Sequence, residues 1–210
     1  LALLVAAPPQ RMQDDLFGDT LPKPPSAEAS ASAPASRIVP GTDVPTRRSR
    51  SGTVAPIPPD DALTALAAAM PPRLRLGTSS WTYPGWQGLV WEGEHSDTQL
   101  SKQGLAVYAQ HPLMRTVGID RSFYRPLAVS QYERYASQVP DDFRFVVKAP
   151  SVVTDALVRS EDGRGRQPNP AFLSPELARS ECVEPALQGL GHKLGALVFQ
   201  LSPLPLAQLD

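Results

Sequence analysis

The sequence has little cysteine, little net charge and no long hydrophobic run. Its single cysteine, Cys182, excludes an internal disulfide and a zinc site built from cysteines, which favours a reducing, cytoplasmic location. With 20 Lys and Arg against 21 Asp and Glu, the balance argues against a protein that binds nucleic acid chiefly by neutralising phosphates. No stretch of about 18 apolar residues is present, so no membrane-spanning helix is predicted.

Histidines are also few, and they carry little signal. His95, His111 and His192 have no ligand-like spacing with acidic residues, so the sequence predicts neither a metal site nor a cofactor. Cys182 lies beside Val183 in a helical stretch, which favours a buried structural thiol over a reactive one.

Aromatic residues are nearly missing from the first third of the chain. Residues 1–72 hold 13 of the 24 prolines but one of the 14 aromatics. Such a segment has few large side chains to bury, so we predict a Pro/Ala-rich disordered tail over 1–72. Within it, Asp60 is placed to cap a short helix that ends before Pro71. The apolar opening Leu1–Ala7 lacks Met and a basic flank, which indicates a clipped start or a signal-peptide remnant.

One peptide in the tail has the pattern of a docking motif. Gln13-Asp14-Asp15-Leu16-Phe17 resembles the short peptide by which bacterial replication and repair proteins bind the sliding clamp. In such a peptide Leu16 and Phe17 would fill an apolar pocket, and Gln13 would fix the orientation. The alternative is that the segment is only a linker.

From residue 73 onward the pattern changes to short apolar runs separated by amphipathic stretches. The predicted strands are Leu74–Ser79, Arg115–Asp120, Phe143–Lys148 and Ala196–Leu201. The predicted helices are Gln99–Gln110, Ala128–Gln138 and Pro175–Leu190. This alternation of strand and helix predicts a parallel α/β sheet.

The two faces of each predicted strand differ, because side chains alternate along a strand. One face is bulky and apolar, as packing under helices requires. The other is smaller and ends in a polar residue on all four strands: Ser79, Asp120, Lys148 and Gln200. In parallel α/β folds ligands bind at the carboxyl ends of the strands, so we predict a site there. The alternative is that strands simply end in polar residues where they meet solvent.

An aromatic loop follows the first of these strands. Trp81, Tyr83 and Trp86 fall within six residues of a segment containing Pro and Gly. They are expected either to form a wall against a ligand ring or to plug the end of the sheet with hydrophobic bulk.

Four ordered motifs in residues 73–210 resemble one known family. They are Gly77-Thr78-Ser79-Ser80-Trp81-x-Tyr83-x-x-Trp86, Ile119-Asp120-x-Ser122-Phe123-Tyr124-x-Pro126, Phe143-x-Phe145-x-Val147-Lys148-Ala149 and Leu194-Gly195-x-Leu197-x-Phe199-Gln200-Leu201-x-Pro203. Together they resemble the YecE-like family, domain of unknown function 72. The resemblance implies a TIM-barrel-like fold with no established activity, of which residues 73–210 would supply about the first four βα units.

Some positions match the family pattern and others depart from it. Trp81, Tyr124 and Lys148 match. Gly118 and Asp120 stand where the family usually has Glu and Asn, so a role that rests on that Glu cannot be carried over. The same holds for the family's Thr-His pair, replaced here by Thr154 and Asp155.

The sequence therefore suggests an enzyme or enzyme relative that binds a small polar or anionic ligand. Lys148 would supply the cation or, alternatively, a nucleophilic amine, and Asp120 would be a general base or a polar anchor, with hydrolysis as the reaction class. Ser79, Tyr124 and Gln200 would hydrogen-bond to the ligand, and the aromatic loop would enclose it. The alternative is a non-catalytic interaction protein tethered to the sliding clamp through residues 13–17.

Overall fold

Five parallel strands form the main sheet. The computed structural model describes residues 2–5, 52–159 and 166–202. The strands are β1 (Ala2–Val5), β2 (Arg75–Thr78), β3 (Met114–Ile119), β4 (Arg144–Lys148), β5 (Leu157–Arg159), β6 (Arg166–Pro168) and β7 (Leu194–Val198). The sheet order is β1-β2-β3-β4-β7 with every pair parallel, while β5 and β6 form a separate antiparallel pair.

Helices connect these strands. They are α1 (Asp61–Ala69), α2 (Asp97–Tyr108), α3 (Arg121–Tyr124), α4 (Val129–Ala136), α5 (Ser151–Thr154), α6 (Pro175–Ala178) and α7 (Glu184–Leu190). A π-helical turn, Arg179–Val183, joins α6 to α7, so the stretch from Pro175 to Leu190 is continuously helical. Within the described residues, no helix is both long and apolar enough to cross a membrane.

The predicted parallel α/β arrangement is confirmed. Each predicted strand and each predicted helix after residue 73 is present, with ends that differ by at most three residues. Two features are additional: β1 pairs with β2, and β5 pairs with β6 in a segment for which no strand is predicted. Closure of the sheet into a barrel stays a prediction.

The short helix expected after Asp60 is present as α1. The Asp60 carboxylate accepts the N–H of Leu63 at 2.6 Å, which is an N-cap. The helix stops at Ala69, ahead of Pro71, whose ring cannot continue it. None of its residues is buried, so it lies on the surface.

The segment just before α1 packs against the domain. Val54 is 6% exposed and lies in an apolar cluster with Trp91 and Leu100. The backbone of Ala55 accepts a hydrogen bond from Glu92 at 2.9 Å. Ordered contacts therefore begin N-terminal to the predicted boundary at residue 72, because a few apolar residues in a proline-rich stretch find partners on α2 and the loop before it.

The main core lies between the outer face of the sheet and the helices. Val117, Ile119, Phe145 and Val147 are at most 1% exposed, and they cluster with residues of α2, α4 and α7. This confirms the predicted bulky face for β3 and β4. Alternation from Leu197 would place Phe199 and Leu201 on the same apolar face, but Phe199 is 43% exposed and Leu201 is 51% exposed. The reason is that β7 ends at Val198, so the alternation of a strand no longer applies beyond it.

Candidate functional site

The ends of β3 and β4 bring Asp120 and Lys148 to the same rim. In the parallel pairing Ile119 lies opposite Val147, so Asp120 and Lys148 occupy the next positions on neighbouring strands. Adjacent strands are about 4.8 Å apart, so the two backbones are close at this point. Asp120 already has helical dihedral angles and begins the turn into α3, and both residues are partly exposed.

Ser122 ties the turn after β3 to the end of β4. Its hydroxyl lies 2.7 Å from the carbonyl oxygen of Ile119 and 2.6 Å from that of Lys148, and it donates its one hydrogen between them. Ser122 is 1% exposed, so this bond is sheltered from water. The contact holds α3 against the backbone that carries the Lys148 side chain.

An aromatic ring lies under the Lys148 ammonium. The nitrogen is 5.0 Å from the centroid of the Phe123 ring, which is within the range of a cation–π interaction. Tyr124 stands perpendicular to Phe123, with its ring centroid 5.3 Å away, and it is 55% exposed. The ammonium is therefore oriented by a ring on the neighbouring turn.

A narrow crevice opens between the ends of β2 and β3. Its lining residues are Ser79, Ser80, Trp81, Thr82, Ser101, Gly118, Ile119, Asp120, Arg121 and Tyr135. About 20 Å³ is open to a water-sized sphere, which is enough for about one water molecule. Three predicted site residues, Ser79, Trp81 and Asp120, share this crevice.

The lining of the crevice combines buried rings with a guanidinium. Trp81 is 7% exposed and packs edge-on against Tyr135, with ring centroids 5.1 Å apart. Burial raises the pKa of Tyr135, while the nearby charge and hydrogen bond of Arg121 lower it. Arg121 thus places a positive charge beside the Tyr135 hydroxyl, on the same turn that begins with Asp120.

The remaining aromatic residues of the loop are arranged differently. Trp86 packs between Trp91 and Tyr108, at centroid distances of 5.6 and 5.8 Å, which favours the hydrophobic-plug interpretation for this residue. Tyr83 is 46% exposed and packs edge-on against Trp86, with ring centroids 5.7 Å apart.

Gln200, the remaining predicted strand-end residue, is exposed and lies beyond the end of β7. It is not among the residues that line the crevice.

Several residues of this rim are not singled out by the sequence analysis. Ser122 and Phe123 stand in the second of the four motifs, yet no role is assigned to them there. The available signal was their spacing: the residues two and three positions after Asp120 fall on the first turn of a helix that starts at a strand end. Arg121 and Thr82 give no comparable signal, because single polar residues in turns are common.

Other predicted features lie elsewhere. Gln13, Leu16 and Phe17 are outside the described residues. Within the part of the chain that the structure describes, no group of three or more His, Cys, Asp or Glu side chains is arranged to hold a metal ion.

Comparison with known proteins identifies a family. A family described as "Protein of unknown function DUF72" matches residues 75–209. Two crystal structures of a DUF72 family protein from Enterococcus faecalis V583 are similar to this chain. The first, at 3.10 Å resolution, has 22% identity and a TM-score of 0.39 over 61% of this chain and 39% of that one. The second, at 2.52 Å resolution, has 24% identity and a TM-score of 0.32 over 49% of this chain and 37% of that one.

The chain thus spans about two fifths of the length of the solved structures that it matches. The search of curated proteins found no match.

Proposed function

This chain belongs to the DUF72 family of proteins of unknown function, and we propose that its domain binds a small anionic ligand at the carboxyl ends of β2, β3 and β4. The observation that carries this proposal is the Lys148 ammonium, which is held over Phe123 at the end of β4. None of the ion pairs within residues 52–159 and 166–202 includes Lys148. Its positive charge is therefore available to a ligand.

The surroundings of Lys148 suit an anion of small size. Arg121 adds a second cation on the adjacent turn, where its charge acts on Tyr135. The crevice between β2 and β3 contributes the hydroxyl groups of Ser79, Ser80 and Thr82. A phosphate or carboxylate at this rim would meet one or two cations and several hydroxyl donors, as small-ligand sites in parallel α/β folds typically provide.

Hydrolysis is the reaction class that these groups support. Asp120 lies at the crevice and is the carboxylate suited to take a proton from an attacking water molecule. Lys148 would stabilise the negative charge that develops on the substrate. Tyr124, exposed beside Phe123, would hydrogen-bond to a ligand above the rim.

Replacing Lys148 tests the ligand site directly. We would measure the thermal midpoint of the full chain with a panel of small anions that includes inorganic phosphate, malonate and citrate. Lys148→Gln should remove the stabilisation by whichever anion binds this rim, and Lys148→Arg should keep most of it. Lys102→Gln is the matched control, because Lys102 is exposed on α2. Equal stabilisation of wild type and Lys148→Gln by every anion, or none of either protein, would refute the proposal.

Docking to the sliding clamp is the second candidate, and it rests on the tail sequence. Gln13-Asp14-Asp15-Leu16-Phe17 contains the sole aromatic residue of the first 72 positions. Purified bacterial clamp should capture the full chain, and the double change Leu16→Ala/Phe17→Ala should abolish capture. Capture that survives this change, or that never occurs, would reduce the segment to a linker.

A further inference from the structure

Arginines gather at the amino end of the sheet face opposite to the main core, here called the inner face. This end is opposite to the rim described above. Arg75 begins β2 and Arg144 begins β4, with Thr116 of β3 between them. All three line an open concavity of about 380 Å³, together with Arg73, Val146, Leu194, Gly195 and Ala196. A volume of this size falls in the range of small-ligand sites.

The charges of this group are only partly balanced. Asp142 pairs with Arg115 at 2.8 Å, and its backbone oxygen accepts a hydrogen bond from Arg75 at 2.6 Å. Arg144 donates to the carbonyl oxygens of Asp141 and Phe143 at 2.7 and 2.8 Å. Each of these guanidinium groups still has further N–H donors, because an arginine carries five.

The positive charges of these arginines act on one another. Burial, then Arg144 and Arg115, lower the pKa of Arg75, and Asp142 opposes them more weakly. Arginine nevertheless stays protonated in proteins, so the group keeps its charge and its unused donors. An anion placed among these guanidinium groups would relieve the repulsion and accept the remaining hydrogen bonds.

We infer that the amino end of the inner face is a second anion site, built from Arg73, Arg75 and Arg144. Its ligand is a compact group with two or more negative charges, such as a phosphate. Guanidinium groups recognise phosphate oxygens in pairs, and the neighbouring glycine and alanine of β7 leave space for the rest of a small molecule. Thr116 also lines this concavity, is 1% exposed and belongs to β3, the strand between the two that carry Arg75 and Arg144.

This site is distinct from the one around Lys148. Arg144 and Lys148 are the first and last residues of β4, so their Cα atoms are about 13 Å apart. Both side chains belong to the same face of the strand, because they are four residues apart. The Arg144 guanidinium bonds to the carbonyl oxygens of Asp141 and Phe143, whereas the Lys148 ammonium lies over Phe123, so the two sites can be tested separately.

Binding of inorganic phosphate and pyrophosphate by calorimetry tests the second site. In the full chain, Arg75→Gln and Arg144→Gln should each weaken binding by about tenfold or more, as expected for a lost charge-assisted hydrogen bond. Arg144→Lys keeps the charge but loses the paired geometry, so it should fall between wild type and Arg144→Gln. Arg179→Gln is the matched control, since Arg179 is an exposed arginine that pairs with Glu184 on the helical side.

Comparing the effect of each variant on anion binding at the two sites tests the inference. Lys148→Gln should not reduce the phosphate or pyrophosphate binding that Arg75→Gln and Arg144→Gln weaken. The two arginine variants should leave unchanged the part of the anion stabilisation that Lys148→Gln removes. Circular dichroism checks that each variant is folded, and either of Arg75→Gln and Arg144→Gln suffices for the test. Wild-type affinity in a folded arginine variant, equal weakening by Arg179→Gln, or absence of phosphate and pyrophosphate binding to the wild type would overturn the inference.

Discussion

The Lys148 ammonium lies 5.0 Å from the centroid of the Phe123 ring, across the junction of β4 and the turn after β3. The two residues are brought together by Ser122, whose hydroxyl contacts the Lys148 carbonyl oxygen at 2.6 Å. A lysine side chain is long and flexible, so a ring at this distance restricts where its charge points. The positive end of the candidate site is thus oriented by a residue that need not touch the ligand.

Phe123 should therefore affect ligand affinity without contacting the ligand. Phe123→Leu keeps an apolar side chain but removes the π face, and we expect an anion bound at Lys148 to lose about twofold to fivefold in affinity. Phe123→Tyr keeps the π face and should restore affinity close to that of wild type. Titration of the anion selected by the Lys148 test measures both. Equal affinities for Phe123→Leu and wild type would remove the ring from the site.

Ser122 should matter for stability. Ser122→Ala removes a buried donor that serves the carbonyl oxygens of Ile119 and Lys148, and the expected loss in unfolding free energy is about 1–3 kcal/mol. Ser137 is a matched control, because its hydroxyl also donates to a backbone carbonyl, that of Arg134, but at an exposed position. Ser137→Ala should stay within about 0.5 kcal/mol of wild type. Urea denaturation compares the two, and similar losses would contradict the assigned role of Ser122.

Gly118 should not tolerate a side chain. A Cβ built at Gly118 would lie 2.8 Å from the backbone oxygen of Ser79, closer than real Cβ contacts. Gly118→Ala should therefore cost about 1–3 kcal/mol through forced movement of the β2 end, and Gly118→Glu should cost at least as much. Urea denaturation measures both. A Gly118→Glu variant as stable as wild type would show that β2 and β3 can separate freely here, and that the family's usual glutamate fits this backbone.

The rim of the sheet could be predicted from the sequence because strand geometry has a fixed period. Once residues 115–120 and 143–148 are assigned to parallel strands, alternation places Val117 and Val147 in the core and Asp120 and Lys148 at one end of the other face. The structure has these two valines fully buried. Alternation no longer predicts burial after Val198, because the strand ends there and Phe199 is exposed.

Features that depend on a distant partner could not be predicted. The burial of Val54 requires Trp91 and Leu100, and the local composition around Val54 is that of an unstructured segment. Trp86 offers the second example, since an aromatic residue in a loop has the same sequence signature whether it meets a ligand or, as here, Trp91 and Tyr108. The arginine group is a third, because its members are close only after β2 and β4 align beside β3.

His111 should make the stability depend on pH. Burial lowers its pKa from the usual 6.5, and its Nδ1 accepts the N–H of Leu113 at 3.3 Å, which requires the neutral ring. The unfolded chain therefore takes up this proton at a higher pH than the folded one. The contribution of His111 to the free energy of unfolding is complete above about pH 7. It is lost as the pH falls through 6.5 and then through the pKa of the folded state.

His111→Asn keeps an acceptor without a titrating group. We expect the urea unfolding free energy of the wild type to fall between about pH 7 and pH 5, and the slope over this range to be smaller in the variant. An unchanged slope in His111→Asn would assign the pH dependence to other groups.

Cys182 should report global unfolding. It is the chain's single cysteine, it is 1% exposed, and burial raises the pKa of its thiol to about 11. The thiolate is the reactive form. The raised pKa leaves little thiolate in the folded protein and the side chain is buried, so reaction with a disulfide reagent is slow. At pH 8 we expect no labelling on the timescale of minutes, followed by complete labelling in urea at the same midpoint as circular dichroism. Cys182 packs where the π-helical turn meets α7, so labelling ahead of that midpoint would show instead that this helix detaches before the sheet unfolds.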